Sequence, residues 1–414
     1  MAIFVDVGSE VGARVAVAVD APRHTGLAAA LSYRAPGPIE PGTLLRVPLG
    51  AREVAGIAWD GEAASDDVEL RPVAEVLAGL PPLPAAWRRL VEFAAGYYQR
   101  SIGEVALAAL PPELRGRGAA QLEARLRKAR KAVPLGPDAP LRPEPSAAQA
   151  EAIERITALD APATVLLHGA TGSGKTEVYL RAAEATLAAG RQVLVLVPEI
   201  NLTPQLEARF GARFAAQRIA LLHSGLTPAQ RLRHWLAAHL GLADLVLGTR
   251  LAVFASLPRL GLIVVDEEHD PSYKQQDGAR YSARDLAVAR GRLDGATVLL
   301  GSATPSLETW QRANEGRYLR MAMPERIGGG ALPRVRLLDM NAQPRSGAAQ
   351  ALAPPLVAAI QERIARGEQS LVFLNRRGYA PVLHCGDCGW KSGCPHCSAW
   401  RVFHKLDRTL RCHH

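Results

Sequence analysis

The sequence predicts an α/β protein: a parallel-sheet lobe with a phosphate-binding loop, preceded by a small, mostly β module. Three observations predict it. From about residue 146, short apolar runs alternate with helical segments, the pattern of a doubly wound parallel sheet. One run leads directly into Gly169-Ala170-Thr171-Gly172-Ser173-Gly174-Lys175-Thr176, which has the G-x-x-x-x-G-K-[ST] form. Residues 1 to about 110 alternate in a β manner between Gly and Pro turns instead.

In chain order, 11–19 and 42–50 read as short strands, and 85–100 reads as a helix with Trp87, Leu90, Val91, Phe93 and Ala94 at helical spacing. Between 111 and 145 the composition shifts. Arg115, Arg117, Arg125, Arg127, Lys128, Arg130 and Lys131 crowd together and five prolines follow, so a basic helix and an extended linker are expected. That helix either spaces two domains or touches a nucleic-acid backbone. Strand candidates of the sheet are 164–168, 193–197, 219–223, 245–248, 262–266, 297–301 and 371–374. Ligands of such sheets sit at the carboxyl ends of the strands, where every motif below falls.

Bulk properties narrow the function classes. The 414 residues suffice for two to four domains, and 48% hydrophobic with 21% charged content is ordinary for a globular protein. A net charge of +9 allows a polyanionic partner without requiring one. Asp6, Glu10 and Arg14 interrupt the N-terminus before a secretory apolar core builds. No run approaches the roughly 18 apolar residues of a membrane span. All five cysteines lie between Cys385 and Cys412, the clustering of a metal site. The expectation is a cytoplasmic monomer without a membrane partner.

Run 164–168 feeds the loop and 176–180 opens the helix after it. Gly169, Thr171, Gly172, Ser173 and Gly174 turn backbone N–H groups onto phosphate oxygens, Lys175 reaches the β and γ phosphates, and Thr176 places its hydroxyl on Mg²⁺. The implied ligand is ATP with Mg²⁺. The run 262–265 ends in Asp266-Glu267-Glu268-His269. There Asp266 is expected to hold the metal and Glu267 to polarise the attacking water.

Other strand ends suggest a track. Ser302 and Thr304, in Gly301-Ser302-Ala303-Thr304, can hydrogen-bond the carboxylate motif and report nucleotide state. Thr249 and Arg250, like the segment 198–200, lie where phosphates of a single strand could be held. After the acidic motif, Tyr273, Lys274 and Tyr281 interleave aromatic and basic side chains, suited to base stacking and phosphate contact. The alternative for this stretch is a simple surface loop.

The strings GATGSGKTEVYL, LVPEINLTPQ, LLHSGL, GTR, DEEHDPSYKQQDGARYSARDLA, GSATPSLET and FLNRRGYAP resemble superfamily 2 helicase motifs in the form found in the PriA family of bacterial primosomal replication-restart helicases. The resemblance runs from the N-terminal module, through Arg46-Val47-Pro48-Leu49-Gly50, to the last residue. It implies a RecA-like motor lobe, and an ATP-hydrolysing 3′→5′ DNA helicase that recognises stalled forks, D-loops and single strands. Primosome proteins and single-stranded-DNA-binding protein are the implied partners. Gln149 takes the place of an adenine-reading glutamine, or is an exposed helix-start residue. The loop around Leu31-Ser32-Tyr33 corresponds to the segment that captures a DNA 3′ end, so Tyr33 either stacks on the terminal base or is a core or turn tyrosine.

The implied domains are 1–110, the 3′-end-binding module; 111–145, a shortened winged-helix region; 146–345, the first motor lobe; 346–384, the start of a second; and 385–414, a zinc region. Cys385-x-x-Cys388 and Cys394-x-x-Cys397 are two knuckles, with Cys412 following. The family uses eight cysteines in two interleaved Zn²⁺ sites. By that pattern Cys385 and Cys388 lack two partners, and Cys394, Cys397 and Cys412 lack one, with His396, His404, His413 or His414 as substitutes. The chain also stops short of the second lobe and its cleft arginines, so this length is expected to be truncated, to bind ATP weakly and to hydrolyse it poorly. Two other readings are a catalytically silent fork-binding module and a superfamily 2 motor acting on RNA.

Overall fold

The computed structural model describes residues 13–20, 30–61, 69–77, 79–116, 118–130, 142–198, 204–214, 217–328, 334–342, 352–373, 382–385, 387–405 and 407–412. Glu199, Ile200, Arg117, Lys131, most of the proline segment, residues 374–381, His413 and His414 lie outside them. The chain divides into two compact units, 1–330 and 331–414.

The first unit begins with strands β1 (Arg14–Val19), β2 (Leu31–Arg34), β3 (Leu44–Leu49), β4 (Arg52–Ala58) and β5 (Glu75–Val76). They form one sheet in the order β2-β1-β4-β3-β5, its named pairs antiparallel. Val15, Val17, Tyr33, Leu45 and Val47 fill its own core. Helices α1 (Ala85–Tyr97), α2 (Ile102–Ala108), α3 (Pro112–Gly116) and α4 (Ala119–Arg130) follow. The expected loop at 31–33 is therefore an edge strand, with Tyr33 in register with Val15.

The larger sheet has seven strands: β6 (Thr164–Gly169), β7 (Gln192–Leu196), β8 (Ile219–Leu222), β9 (Leu245–Gly248), β10 (Leu260–Asp266), β11 (Thr297–Ser302) and β12 (Leu319–Met323). Their order is β12-β6-β11-β10-β7-β9-β8, all parallel. Helices α5 (Ala147–Thr157), α6 (Lys175–Ala188), α7 (Pro204–Arg213), α8 (Pro228–His239), α9 (Ala283–Asp294) and α10 (Leu307–Asn314) accompany it. Local chemistry sets their ends. Ser146 with Gln149 and Thr227 with Gln230 form capping boxes, Ser282 and Ser306 cap α9 and α10, and Gly295 ends α9 in the left-handed region.

Successive residues of a strand face opposite sides of a sheet. On one side, Val193, Val195, Leu245, Leu247, Leu262 and Val264 pack with Val178, Ala182 and Phe210. On the other, Leu194, Leu196, Val246, Ile263 and Val265 belong to a core that includes Trp87, Leu90, Val91, Val105 and Leu107 of the N-terminal helices. The N-terminal module thus completes one face of the larger sheet. Trp87 fixes the junction, its indole N–H donating to Phe254 O at 2.7 Å.

In the second unit, helix α11 (Pro354–Ala365) precedes strands β13 (Val402–His404) and β14 (Thr409–Arg411), which pair antiparallel. Residues 371–373 carry no strand, although the apolar run there predicted one. No helix of the described residues is long and apolar enough to cross a membrane.

Candidate nucleotide and DNA sites

Strand β11 lies between β6 and β10, so the glycine loop, the Ser302 segment and the acidic motif emerge side by side at one edge. Gly172 and Gly174 have φ of +84° and +79°, a left-handed backbone that glycine adopts without steric cost. A Cβ on Gly169 would lie 2.5 Å from Ser173 Oγ, so the loop closes on itself as only glycine allows. Lys175 is 8% exposed and its ammonium donates to Gly169 O at 3.0 Å. Ser173 Oγ is buried with no hydrogen-bond partner among the described residues, a polar atom that a phosphate oxygen would satisfy. These residues fit a nucleotide phosphate.

Gln149 is buried and not an exposed helix-start residue. Its Oε1 accepts from Ser146 N at 2.7 Å and its Nε2 donates to Gly174 O at 3.1 Å. The helix cap of α5 is in this way tied to the loop. Beside it opens a cavity of about 490 Å³ lined by Gln149, Gly174, Thr176, Arg209, Arg213 and Ile327. Arg213 is held there by Glu177 at 2.7 Å and Glu184 at 2.6 Å.

Asp266 ends β10 in register with Gly301 of β11. Its Oδ1 accepts from the Tyr179 hydroxyl at 3.0 Å. Burial, then repulsion from Glu267, raises the Asp266 pKa, while Tyr179 and Lys175 oppose the shift. Glu267 follows with φ of +46°, a left-handed conformation that is costly for a residue with a Cβ. It lies 3.6 Å from His269 Nδ1.

Two connections bind the acidic motif to the Ser302 segment. His269 Nδ1 lies 2.7 Å from Ser302 Oγ, which accepts from Thr304 N at 3.0 Å, and His269 Nε2 lies 3.4 Å from Thr304 Oγ1. Ser302 and Thr304 are thus brought to the motif's histidine. The second connection was missed in the sequence. Glu268 is 1% exposed and accepts from Ser306 N at 2.7 Å, Thr309 Oγ1 at 2.9 Å and Ser306 Oγ at 3.0 Å, with Arg284 at 3.4 Å. A repeated acid in a charge run gives no hint that one member is a buried cap acceptor.

The residues expected to meet DNA divide. Tyr33 is 4% exposed and its hydroxyl donates to Pro48 O at 3.1 Å, so its ring is a core element and is not presented for stacking. Tyr273 is also buried, its hydroxyl 2.6 Å from Asp266 O and 3.0 Å from Leu196 O. This corrects the stacking expectation for Tyr273: the ring braces the strand end at Asp266. Tyr281 is buried edge-on against Phe254. Lys274 is exposed, its ammonium 5.2 Å from the Tyr98 ring centroid. Thr249 is buried, and Arg250 donates to Ser272 O at 2.7 Å. Thr249, Arg250 and Tyr281 nevertheless line one groove of about 480 Å³, to which Arg115 of α3 and Arg231 of α8 also contribute.

In the second unit the Sγ atoms of Cys394, Cys397 and Cys412 lie within 4.8 Å of one another. Three thiolates at that separation fit one tetrahedral Zn²⁺. Cys385 and Cys388 do not join that group.

Residues 14–111 match the family model of the PriA 3′ DNA-binding domain, and residues 146–313 that of the DEAD/DEAH box helicases. The replication restart protein PriA of Haemophilus influenzae is 47% identical over 249 residues, 60% of this chain and 34% of that protein. The protein of the same name from Rickettsia felis is 34% identical over 373 residues, 90% of this chain and 55% of its own. A solved structure of RecG bound to a three-way DNA junction covers 59% of this chain and 30% of that one at 22% identity, with a TM-score of 0.36. The chain spans between about a third and just over half the length of the curated relatives it matches. The chain thus carries a match to the PriA 3′ DNA-binding domain followed by a match to a helicase domain, and it is similar over 60–90% of its length to replication restart proteins PriA.

Proposed function

We propose that this chain is the DNA-end-binding and nucleotide-binding part of an ATP-hydrolysing 3′→5′ DNA helicase that acts at stalled forks and D-loops to restart replication. The observation that carries the reading is the common core of the two matched domains. Helices of the 3′ DNA-binding domain cover one face of the same sheet whose other elements hold the glycine loop and the acidic motif.

Within this reading the loop N–H groups and Ser173 Oγ take phosphate oxygens, and Lys175 exchanges its Gly169 contact for phosphate. Gln149 and the cavity beside Gly174 take the base. Thr176 and Asp266 would hold Mg²⁺, and Glu267 would orient the attacking water. Bound Mg²⁺ would supply charge neutralisation on the β and γ phosphates. His269, Ser302 and Thr304 relay the state of the acidic motif to the neighbouring strand end. The groove with Arg115, Arg231 and Arg250 takes the backbone of a single strand, with Lys274 exposed beside it. Cys394, Cys397 and Cys412 hold Zn²⁺ in the second unit, with Cys385 and Cys388 as half of another site. Primosome proteins and single-stranded-DNA-binding protein are the proposed partners, in the cytoplasm, of a monomer.

Fluorescence anisotropy tests the reading. The chain should bind a forked DNA with a free 3′-hydroxyl at the junction more tightly than the same fork ending in a 3′-phosphate, and should bind an ATP analogue in the presence of Mg²⁺. Equal affinity for the two ends, or for an RNA fork, would overturn the assignment to DNA 3′ ends.

A further inference from the structure

The loop between the acidic motif and α9 is held from two sides. On the inner side the Tyr273 hydroxyl sits against Asp266 O and Leu196 O. A shift of that ring therefore moves the backbone of the acidic strand end. On the outer side the loop meets Tyr98, the residue that caps α1 of the N-terminal module. The Tyr98 hydroxyl accepts from Ser282 N at 3.0 Å, and Lys274 places its ammonium 5.2 Å from the centre of the Tyr98 ring. Lys274 and Ser282 themselves pair across an antiparallel bridge, and Gln275 N donates to Tyr281 O at 2.8 Å. One aromatic side chain of the N-terminal module thus contacts both sides of this bridge, and Tyr273, next to Lys274, touches Asp266 O.

The surroundings are stiff enough to pass on a displacement. Trp87 donates to Phe254 O, His239 Nε2 lies 2.9 Å from Pro81 O, and the hydrophobic core is continuous across the junction. Close-packed interiors transmit strain where loosely packed ones absorb it.

The geometry points to Tyr98 as a positioning residue by which the N-terminal module, according to whether a DNA 3′ end is bound, sets the loop at 270–281 and through Tyr273 the backbone of Asp266. This rests on the reading above, in which the module takes the DNA end and Asp266 the nucleotide's metal. Tyr98 itself touches neither ligand. Because linkage is reciprocal, a bound 3′ end changes nucleotide affinity by the same factor as nucleotide changes the affinity for the end.

The experiment measures the dissociation constant of a fluorescent ATP analogue with Mg²⁺, with and without a saturating oligonucleotide bearing a free 3′-hydroxyl. It uses the parent chain, Tyr98→Phe and Tyr98→Leu. The expected coupling is about five-fold or more in the parent chain, under about two-fold in Tyr98→Leu, and intermediate in Tyr98→Phe, which keeps the ring under Lys274 but loses the bond to Ser282. Each variant should keep its affinity for either ligand alone, a pattern that a merely structural defect would not give. If Tyr98→Leu loses affinity for a single ligand, Tyr98→Phe decides. Parental coupling retained in the deciding variant overturns the inference, as does the absence of coupling in a parent chain that binds both ligands. Failure of the parent chain to bind one of the two ligands overturns the proposed function instead.

Discussion

Tyr179 and Asp266 meet across 3.0 Å because Gly301 leaves room between them. A Cβ on Gly301 would lie 1.5 Å from the Tyr179 hydroxyl oxygen, inside the phenol itself. Gly301 is in register with Asp266 on the neighbouring strand, so the glycine before Ser302 serves a contact made by the helix after the phosphate loop. The carboxylate expected to hold the metal is thereby oriented from behind by a buried hydroxyl.

Gly301→Ala should therefore be costly. It forces Tyr179 out of its place, at a cost of about 1–3 kcal/mol or more, as overpacking does in a tight core. Tyr179→Phe deletes only the hydrogen bond and should cost about 0.5–1.5 kcal/mol. Urea unfolding of the three chains should rank them parent, Tyr179→Phe, Gly301→Ala in falling stability.

Glu268 is the second buried support. Glu268→Ala strands Ser306 N, Thr309 Oγ1 and the Arg284 guanidinium together, and removing one member of a buried charged network costs about 3–5 kcal/mol. Glu268→Gln preserves an acceptor for Ser306 N and should recover a large part of the loss. Thermal unfolding of both variants would show this order, and equal melting of Glu268→Ala and the parent would refute it.

His239 makes the junction sensitive to acid. Its ring is buried between Ser256 Oγ and Pro81 O, each at 2.9 Å, which fits a neutral imidazole that donates to the carbonyl and accepts from the hydroxyl. Burial lowers its pKa from 6.5 to about 4. The folded state therefore resists a proton that the unfolded chain accepts. Its contribution to stability is present above pH 6.5 and is lost as pH falls toward about 4. At about 1.4 kcal/mol per pKa unit this amounts to roughly 3 kcal/mol. His239→Gln should flatten the fall in stability measured between pH 7 and pH 4, and an unchanged slope would contradict the argument. His234, also lowered to about 4 by burial, adds a parallel contribution that the variant leaves in place.

Tyr33→Phe distinguishes a core tyrosine from a stacking one. It deletes the bond to Pro48 O and should cost about 1 kcal/mol of stability. The affinity for a 3′-ended oligonucleotide should stay unchanged, since the ring remains buried. A several-fold loss of that affinity with intact folding would restore the stacking role.

The motor sheet was legible because its central strands are buried on both faces. Runs such as 193–196 and 262–265 are unbroken apolar strings, and each expected strand between 164 and 301 is present within a residue or two. β12 was not, since exposed Leu319, Arg320 and Ala322 dilute Leu319–Met323 to an ambiguous pattern. β2, four residues with Ser32 and Arg34 in it, carries no apolar run at all. The glycine loop and Asp266 were found by spacing, a local property. Glu268 and Tyr98 were not, because their partners lie 38 and 184 residues further along, and only the fold brings them together. Aromatic and basic residues at 273–281 looked like a nucleic-acid surface, but burial against Leu196, Asp266 and Phe254 uses two of the rings internally.

The central claim is that one chain carries a metal-dependent nucleotide site and a separate DNA-end site. Titrating the parent chain and Lys175→Ala with a fluorescent ATP analogue, with and without Mg²⁺, tests it most directly. Losing one charge-assisted phosphate contact of about 1.5–3 kcal/mol should weaken Mg²⁺-dependent binding by about ten-fold or more in Lys175→Ala, while affinity for a 3′-ended DNA fork is unchanged. Nucleotide binding that is indifferent to both Mg²⁺ and Lys175 would contradict the account.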